Sequence, residues 1–177
     1  AMLLISQLTV TGLEGENGIS FTASSLLSDL PAFGFTALEL TVKNDTDRDR
    51  RWTVRTRGTR GWGSRDIVVS DRTIEVPKNA SRTFDLLAPL PGVTDRVGQL
   101  DLMLTVEGYG VKHGQGYIST RIPTYYEGQR PYVAMGATLA AREPERWIAN
   151  TSPIFMLSFD PARFPDDWRA LVGIDSV

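Results

Sequence analysis

Three stretches of this chain alternate apolar and polar residues one by one. That period of two commits them to strands that bury a single side. In residues 35–42, Leu38, Leu40 and Val42 fall on one side, with Glu39 and Thr41 on the other. In residues 52–57, Trp52, Val54 and Thr56 alternate with Thr53, Arg55 and Arg57, and Arg51 continues the outward set. In residues 99–107, Leu100, Leu102, Leu104 and Val106 alternate with Asp101, Thr105 and Glu107. The inward sets, namely Leu38, Leu40, Val42, Trp52, Val54, Leu100, Leu102, Leu104 and Val106, are the expected core.

Shorter candidates fill the rest of residues 1–122. Leu3, Ile5, Leu8 and Val10 suggest a first strand, and residues 18–23 a second. Others fall at 66–70, 73–76, 82–87 and 117–122. Turn-forming residues separate them: Asn44 to Asp47, then Pro77 to Ala80, then Gly108, Tyr109 and Gly110. Many short strands with no convincing helix predict an antiparallel β-sandwich over 1–122.

The pattern changes after Ile122. Residues 123–130 read as a linker, and 131–177 carry a different order. Residues 132–135 form a short apolar run, 137–141 are suited to one helical turn, and 154–159 are almost wholly apolar. A run of that kind suits a strand buried on both faces, as in a parallel sheet. Residues 165–171 read as a short helix with Asp166 as N-cap and with Trp168 and Leu171 on one face. Strand, strand, helix and strand in that order belong to an α/β domain, which residues 131–177 are too few to complete. The expectation is an incomplete α/β segment in a chain cut from a longer protein. Its apolar residues are expected to pack on the sandwich or to pair with a second copy, giving a homodimer through 131–177.

Composition excludes several function classes. The 19 Lys and Arg nearly balance 21 Asp and Glu, and a net charge of −2 creates no field favouring nucleic acid. No apolar run reaches about 18 residues, so no transmembrane helix is expected and no direct insertion into a membrane. No basic stretch precedes an apolar one at the start, as a secretory signal requires. The absence of cysteine removes disulfides, thiolate catalysis and zinc–thiolate sites. His113 is the only histidine, and no Gly-x-Ser-x-Gly elbow supplies a nucleophile for it to activate. It is read as a solvent-facing residue of a turn at 111–116. The glycines at 108, 110, 114 and 116 lie in hairpins rather than between strand and helix, so they suggest turns and not a phosphate loop. Asp45, Asp47 and Asp49 alternate as calcium ligands do. Counting from Asp45, however, the sixth position is Arg50 rather than Gly, and the twelfth is Thr56 rather than Glu. Glu143 with Glu145, and Asp166 with Asp167, are explained by first-turn charges at helix starts. The chain is therefore expected to have no catalytic residue, cofactor or metal.

One anomaly is left. Residues 48–65 hold Arg48, Arg50, Arg51, Arg55, Arg57, Arg60 and Arg65 against the single acid Asp49, with Trp52 and Trp62 among them. Arginine with tryptophan is the composition of interface hot spots and of anion sites. Arg51, Trp52, Arg55, Arg57 and Trp62 are the candidate interaction surface, for which an acidic protein partner is expected rather than nucleic acid. The plainer alternative is an outer sheet face whose arginines pair with acids on neighbouring strands, such as Glu39, Asp101 and Glu107.

Two stretches carry a family resemblance. Residues 34–48, Gly-Phe-Thr-Ala-Leu-Glu-Leu-Thr-Val-Lys-Asn-Asp-Thr-Asp-Arg, end a strand in a Val-x-Asn turn. Residues 73–86, Thr-Ile-Glu-Val-Pro-Lys-Asn-Ala-Ser-Arg-Thr-Phe-Asp-Leu, open one after a Val-Pro-x-x-x-Ser turn. Together they resemble bacterial immunoglobulin-like or fibronectin-like envelope domains. Residues 159–177, with Pro165 and Trp168 ahead of Asp175 and Val177, are similar to the opening of class I glutamine amidotransferase-like domains of large membrane-anchored bacterial proteins. The resemblance implies an immunoglobulin-like, non-catalytic structural or interaction module on the extracytoplasmic, periplasmic side of the envelope, within a membrane-anchored parent. It carries no catalytic residue over, because the family's nucleophile elbow would lie beyond Val177. The alternative is a carbohydrate-binding module in which Trp62, Tyr109, Tyr125 or Tyr126 stack on sugar rings, or an accessory domain of a larger enzyme.

Overall fold

In a computed structural model of the chain, the residues described are 8–27, 30, 34–60, 67–91, 98–122, 132–136, 155–159 and 162. They form β1 (Glu14–Gly15), β2 (Ile19–Ser25), β3 (Gly34–Asn44), β4 (Arg50–Arg60), β5 (Ile67–Val76), β6 (Ala80–Leu90), β7 (Gly98–Gly108), β8 (Val111–His113), β9 (Gln115–Ile122), β10 (Tyr132–Gly136) and β11 (Phe155–Phe159). A three-stranded antiparallel sheet has the order β2-β3-β6, and a four-stranded one the order β5-β4-β7-β9. β1 pairs with β8, and β10 pairs in parallel with β11.

Alternation places the core. Each expected core residue is at most 1% exposed, and the two sheets contribute to one continuous cluster. Trp52 from β4 meets Phe21 from β2 edge-on, with ring centroids 5.9 Å apart. Its indole N–H, the one polar group on that ring, donates to the Tyr109 carbonyl at 2.8 Å. Where β4 passes β6, Gly58 leaves room for the Pro89 carbonyl that a Cβ would occupy.

The chain crosses between the sheets twice in this region, from β3 to β4 and from β5 to β6, and Asn44 ties both crossings. It is fully buried at the end of β3. Its amide donates to the carbonyls of Arg48 (2.9 Å), Val76 (3.0 Å) and Pro77 (3.1 Å). Its Oδ1 accepts the Thr46 N–H and hydroxyl. Buried carbonyls at a corner have no ladder partner, and a side-chain amide is the cheapest way to satisfy them. Asn79 adopts φ 52° in the second crossing, a conformation that Asn tolerates.

Several expectations change. The two pieces expected at 66–70 and 73–76 are joined, from Ile67 on, in the one strand β5, because Asp71 and Arg72 stay extended opposite Arg55 and Val54. Within the proposed first strand, residues 8–11 make only isolated bridges, Thr9 with Ser24 and Thr11 with Tyr117. Residues 111–113 are not a turn but β8. Within the apolar run at 154–159, Phe155–Phe159 form β11, in register with β10 from Tyr132↔Phe155 to Gly136↔Phe159. The linker, Trp62, Tyr125, Tyr126, Glu143, Glu145, Asp166, Asp167 and most of 131–177 lie outside the described residues.

Candidate functional site

The outward side of β4 lies at the centre of the four-stranded sheet, and its neighbours are set by register. Arg51 faces Glu75 on β5, and its Nη2 and Nε donate to Oε2 at 2.8 and 3.3 Å. Arg55 faces Asp71 on β5 in a two-pronged pair, Nε to Oδ1 at 2.8 Å and Nη2 to Oδ2 at 2.9 Å. This fork-to-carboxylate geometry holds both side chains in one orientation. The Arg55 hydrogen bonds hold the Asp71 carboxyl below its ordinary range. In return, the bonds to Asp71, helped by its charge and more weakly by Glu107, raise the Arg55 guanidinium.

Arg57 differs. Its partner on β5 is Val69 and its partner on β7 is Met103, which in turn faces Tyr117 on β9. Val69 is 50% exposed and Tyr117 47%, while Arg57 and Met103 are half-buried. The Arg57 Nε is buried with no hydrogen-bond partner among the described residues. One row across the outer face therefore reads Val69, Arg57, Met103, Tyr117, with no carboxylate opposite the arginine on either neighbouring strand.

The other candidates fall elsewhere. Trp52 was expected in the surface set but points inward and is 1% exposed, since it shares the parity of Val54 and not of Arg55. Trp62 lies outside the described residues. Of the acids expected to face the arginines, Glu39 is on β3, in the other sheet, and Glu107 acts on Arg55 by charge, while Asp101 accepts the Ser119 hydroxyl at 2.6 Å. The acids that hydrogen-bond Arg51 and Arg55 are Glu75 and Asp71. Reading 66–76 as two pieces hid them, and only the β4–β5 register reveals them. The row neighbours Val69, Met103 and Tyr117 were missed for the same reason. Arg50 turns to the strand's end, its guanidinium carbon 3.5 Å from the centroid of the Tyr109 ring and its Nε donating to Thr46 Oγ1 at 3.3 Å.

His113 is exposed on β8 with Nε2 3.6 Å from Glu14 Oε2, while Lys112 donates to Glu14 Oε1 at 2.6 Å. That hydrogen bond holds the Glu14 carboxyl below its ordinary range and raises the Lys112 ammonium. Among the three spaced aspartates, Asp45 pairs with Lys43 at 2.7 Å and Asp49 accepts the Lys78 N–H at 2.9 Å. No three His, Cys, Asp or Glu residues converge as metal ligands among the described residues. Nor, among these residues, is any helix long and apolar enough to cross a membrane.

No protein-family model matches the chain, and no curated protein matches it. Among solved structures, Northeast Structural Genomics Consortium target SoR45 is similar at 14% identity, over 65% of this chain and 96% of that one, with a TM-score of 0.36. A calcium-binding mutant of Bacteroides uniformis beta-glucuronidase 2 is similar at 12% identity and a TM-score of 0.30. That match covers 69% of this chain but 15% of the enzyme's chain. Likenesses this weak carry no functional argument.

Proposed function

We propose that this chain is a non-catalytic structural and protein-interaction module, an immunoglobulin-like β-sandwich of a bacterial cell-envelope protein on the extracytoplasmic side. The observation that carries the reading is the outward side of β4. Arg51 and Arg55 are paired with in-register carboxylates, and Arg57 stands between the exposed Val69 and the half-buried Met103. Pre-paired arginines beside aromatic and aliphatic side chains suit recognition of another protein, because a pair formed in advance leaves less side-chain entropy to lose on binding.

Strand order supports the immunoglobulin-like part. Two antiparallel sheets, β2-β3-β6 and β5-β4-β7-β9, share one core, and consecutive strands change sheet between β3 and β4 and between β5 and β6. The Asn44 corner joins the two stretches on which the envelope-domain resemblance rests. The parallel pairing of β10 with β11 supports reading 131–177 as the opening of an α/β domain of the amidotransferase-like kind. The envelope setting and the membrane-anchored parent rest on that resemblance alone.

A carbohydrate-binding role is the less favoured reading. Among the described residues the exposed aromatics are Tyr109 and Tyr117, and Arg50 already covers one face of Tyr109. The test places a photo-crosslinking residue at Thr53, between Arg51 and Arg55, and another at Thr41 on the outer face of the three-stranded sheet. A discrete protein adduct at Thr53, absent at Thr41 and suppressed by excess unlabelled chain, is expected from envelope extracts. Equal labelling at both positions, selective retention on glycans, or turnover of amide, ester or glycoside substrates that survives repurification would overturn the reading.

A further inference from the structure

We propose that the row Val69, Arg57, Met103, Tyr117 is a docking site for an acidic protein segment that brings one carboxylate to Arg57 between two apolar side chains. The proposal deepens the interaction-module reading and rests on it.

The sheet treats its three outward β4 arginines unequally. β5 supplies Glu75 to Arg51 and Asp71 to Arg55, both by register, and then supplies Val69 to Arg57. On the other side β7 supplies Met103 rather than an acid. Arg57 stands in register between two aliphatic residues, and its Nε is buried with no hydrogen-bond partner among the described residues, which is unfavourable. The buried Nε is out of reach of an incoming carboxylate, but the half-buried side chain keeps part of its surface open, and a bond from a guanidinium to a carboxylate there is charge-assisted.

Charge and shape select the occupant. Among the described residues, its neighbours in the adjoining rows are the Arg55–Asp71 pair and Asp101, which accepts the Ser119 hydroxyl. A polyanion needs many simultaneous phosphate contacts, whereas two of the three outward β4 arginines are already paired with carboxylates, on a chain of net charge −2. Val69 on one side and Met103 with Tyr117 on the other call for apolar side chains flanking the acid. Adjacent strands lie roughly 4.8 Å apart, so the row is short enough for an extended segment of a few residues. In such a segment residues i−2, i and i+2 point to the same side, which gives the pattern apolar, acidic, apolar at alternate positions. Among the described residues, the outer face of the three-stranded sheet carries the rows Ser20, Lys43, Ser81, then Thr22, Thr41, Thr83, then Ser24, Glu39, Asp85, and the Thr41 and Thr83 hydroxyls bond to each other at 2.9 Å.

The probes are the full chain and two synthetic peptides, N-acetyl Val-Thr-Glu-Thr-Leu amide and its Gln counterpart. The readouts are the NMR signals of the Arg57 Nε–H, the Met103 methyl and the Tyr117 ring. The Glu peptide is expected to shift all three saturably at millimolar concentration, and the Gln peptide to bind about tenfold or more weakly. R57Q should abolish the difference while keeping the thermal midpoint of the parent chain, and R51Q should leave it intact. Equal binding of the two peptides, or no shift from either, would overturn the proposal. So would the same shifts produced by concentrating the chain alone, which would mean a second copy, or by duplex DNA at physiological salt. If the peptides fail while the Thr53 adduct persists, the row is wrong and the module reading stands. If the adduct fails too, both fall.

Discussion

Asn44 and Arg55 are each held by short, well-directed polar contacts, but one lies in the core and the other on the surface. Asn44 is fully buried and serves three carbonyls and two Thr46 donors. Arg55 makes two equally short bonds to Asp71, and both side chains are 49% exposed. Distances alone would rank them together. Burial separates them, because water replaces a lost bond on the surface and cannot reach one at the corner. The corner is therefore expected to govern stability, and the ladder the orientation of a surface.

The largest effect sets the scale for the buried side. Leu102 lies at the centre of β7, 1% exposed, with Gly58 and Ile118 as its register partners. Leu102→Ala should destabilise the chain by roughly 2–5 kcal/mol, as large-to-small core changes do. An unchanged unfolding midpoint would show that the register of β7 is wrong, and the comparison would lose its reference.

Asn44→Ala should come next, at about 2–3 kcal/mol, because it strands the Val76 carbonyl and its neighbours in the corner. Asn44→Asp should be at least as damaging. It keeps the acceptor for Thr46 but replaces the donor that serves Arg48, Val76 and Pro77 with a buried charge. Denaturant midpoints check both. If either variant is as stable as the parent chain, the corner carries no more than the surface ladder.

The same contrast explains how much of the molecule was legible in its sequence. Alternation is local, so the inward residues of β3, β4 and β7 could be named outright, and each of them is buried. Partners across strands are not local. Asp71 and Glu75 lie 16 and 24 residues from the arginines they bind, and nothing in either stretch declares the register. Asp71 and Arg72 read as a break, because isolated polar residues interrupt a strand pattern unless a neighbouring strand holds them extended. β1 and β8, at two and three residues, are too short to show any period. Trp52 joined the surface set by composition although its parity pointed inward. There the period was the better guide. The row through Arg57 needed four strands in register before it could exist at all.

The smallest expected effect is the pH dependence of the surface pairs. Asp71 and Glu14 have carboxyls held below their ordinary range, chiefly by hydrogen bonds from Arg55 and Lys112. A carboxylate stabilised in the folded state adds stability above its unfolded value and loses it as pH falls through the folded one. Lys112 is raised by Glu14, so its contribution is present below the ordinary lysine value and lost as pH climbs past the raised one. The melting midpoint should thus be level through neutral pH, and these pairs should weaken only below about pH 4 or at strongly alkaline pH. Asp71→Asn should remove its share of the acid decline while lowering the neutral midpoint only slightly, and molar salt should mimic it by screening exposed charges. Asp71→Asn could instead cost as much as Asn44→Ala and resist salt. The ladder would then be a structural element like the corner, and burial would not be what divides them.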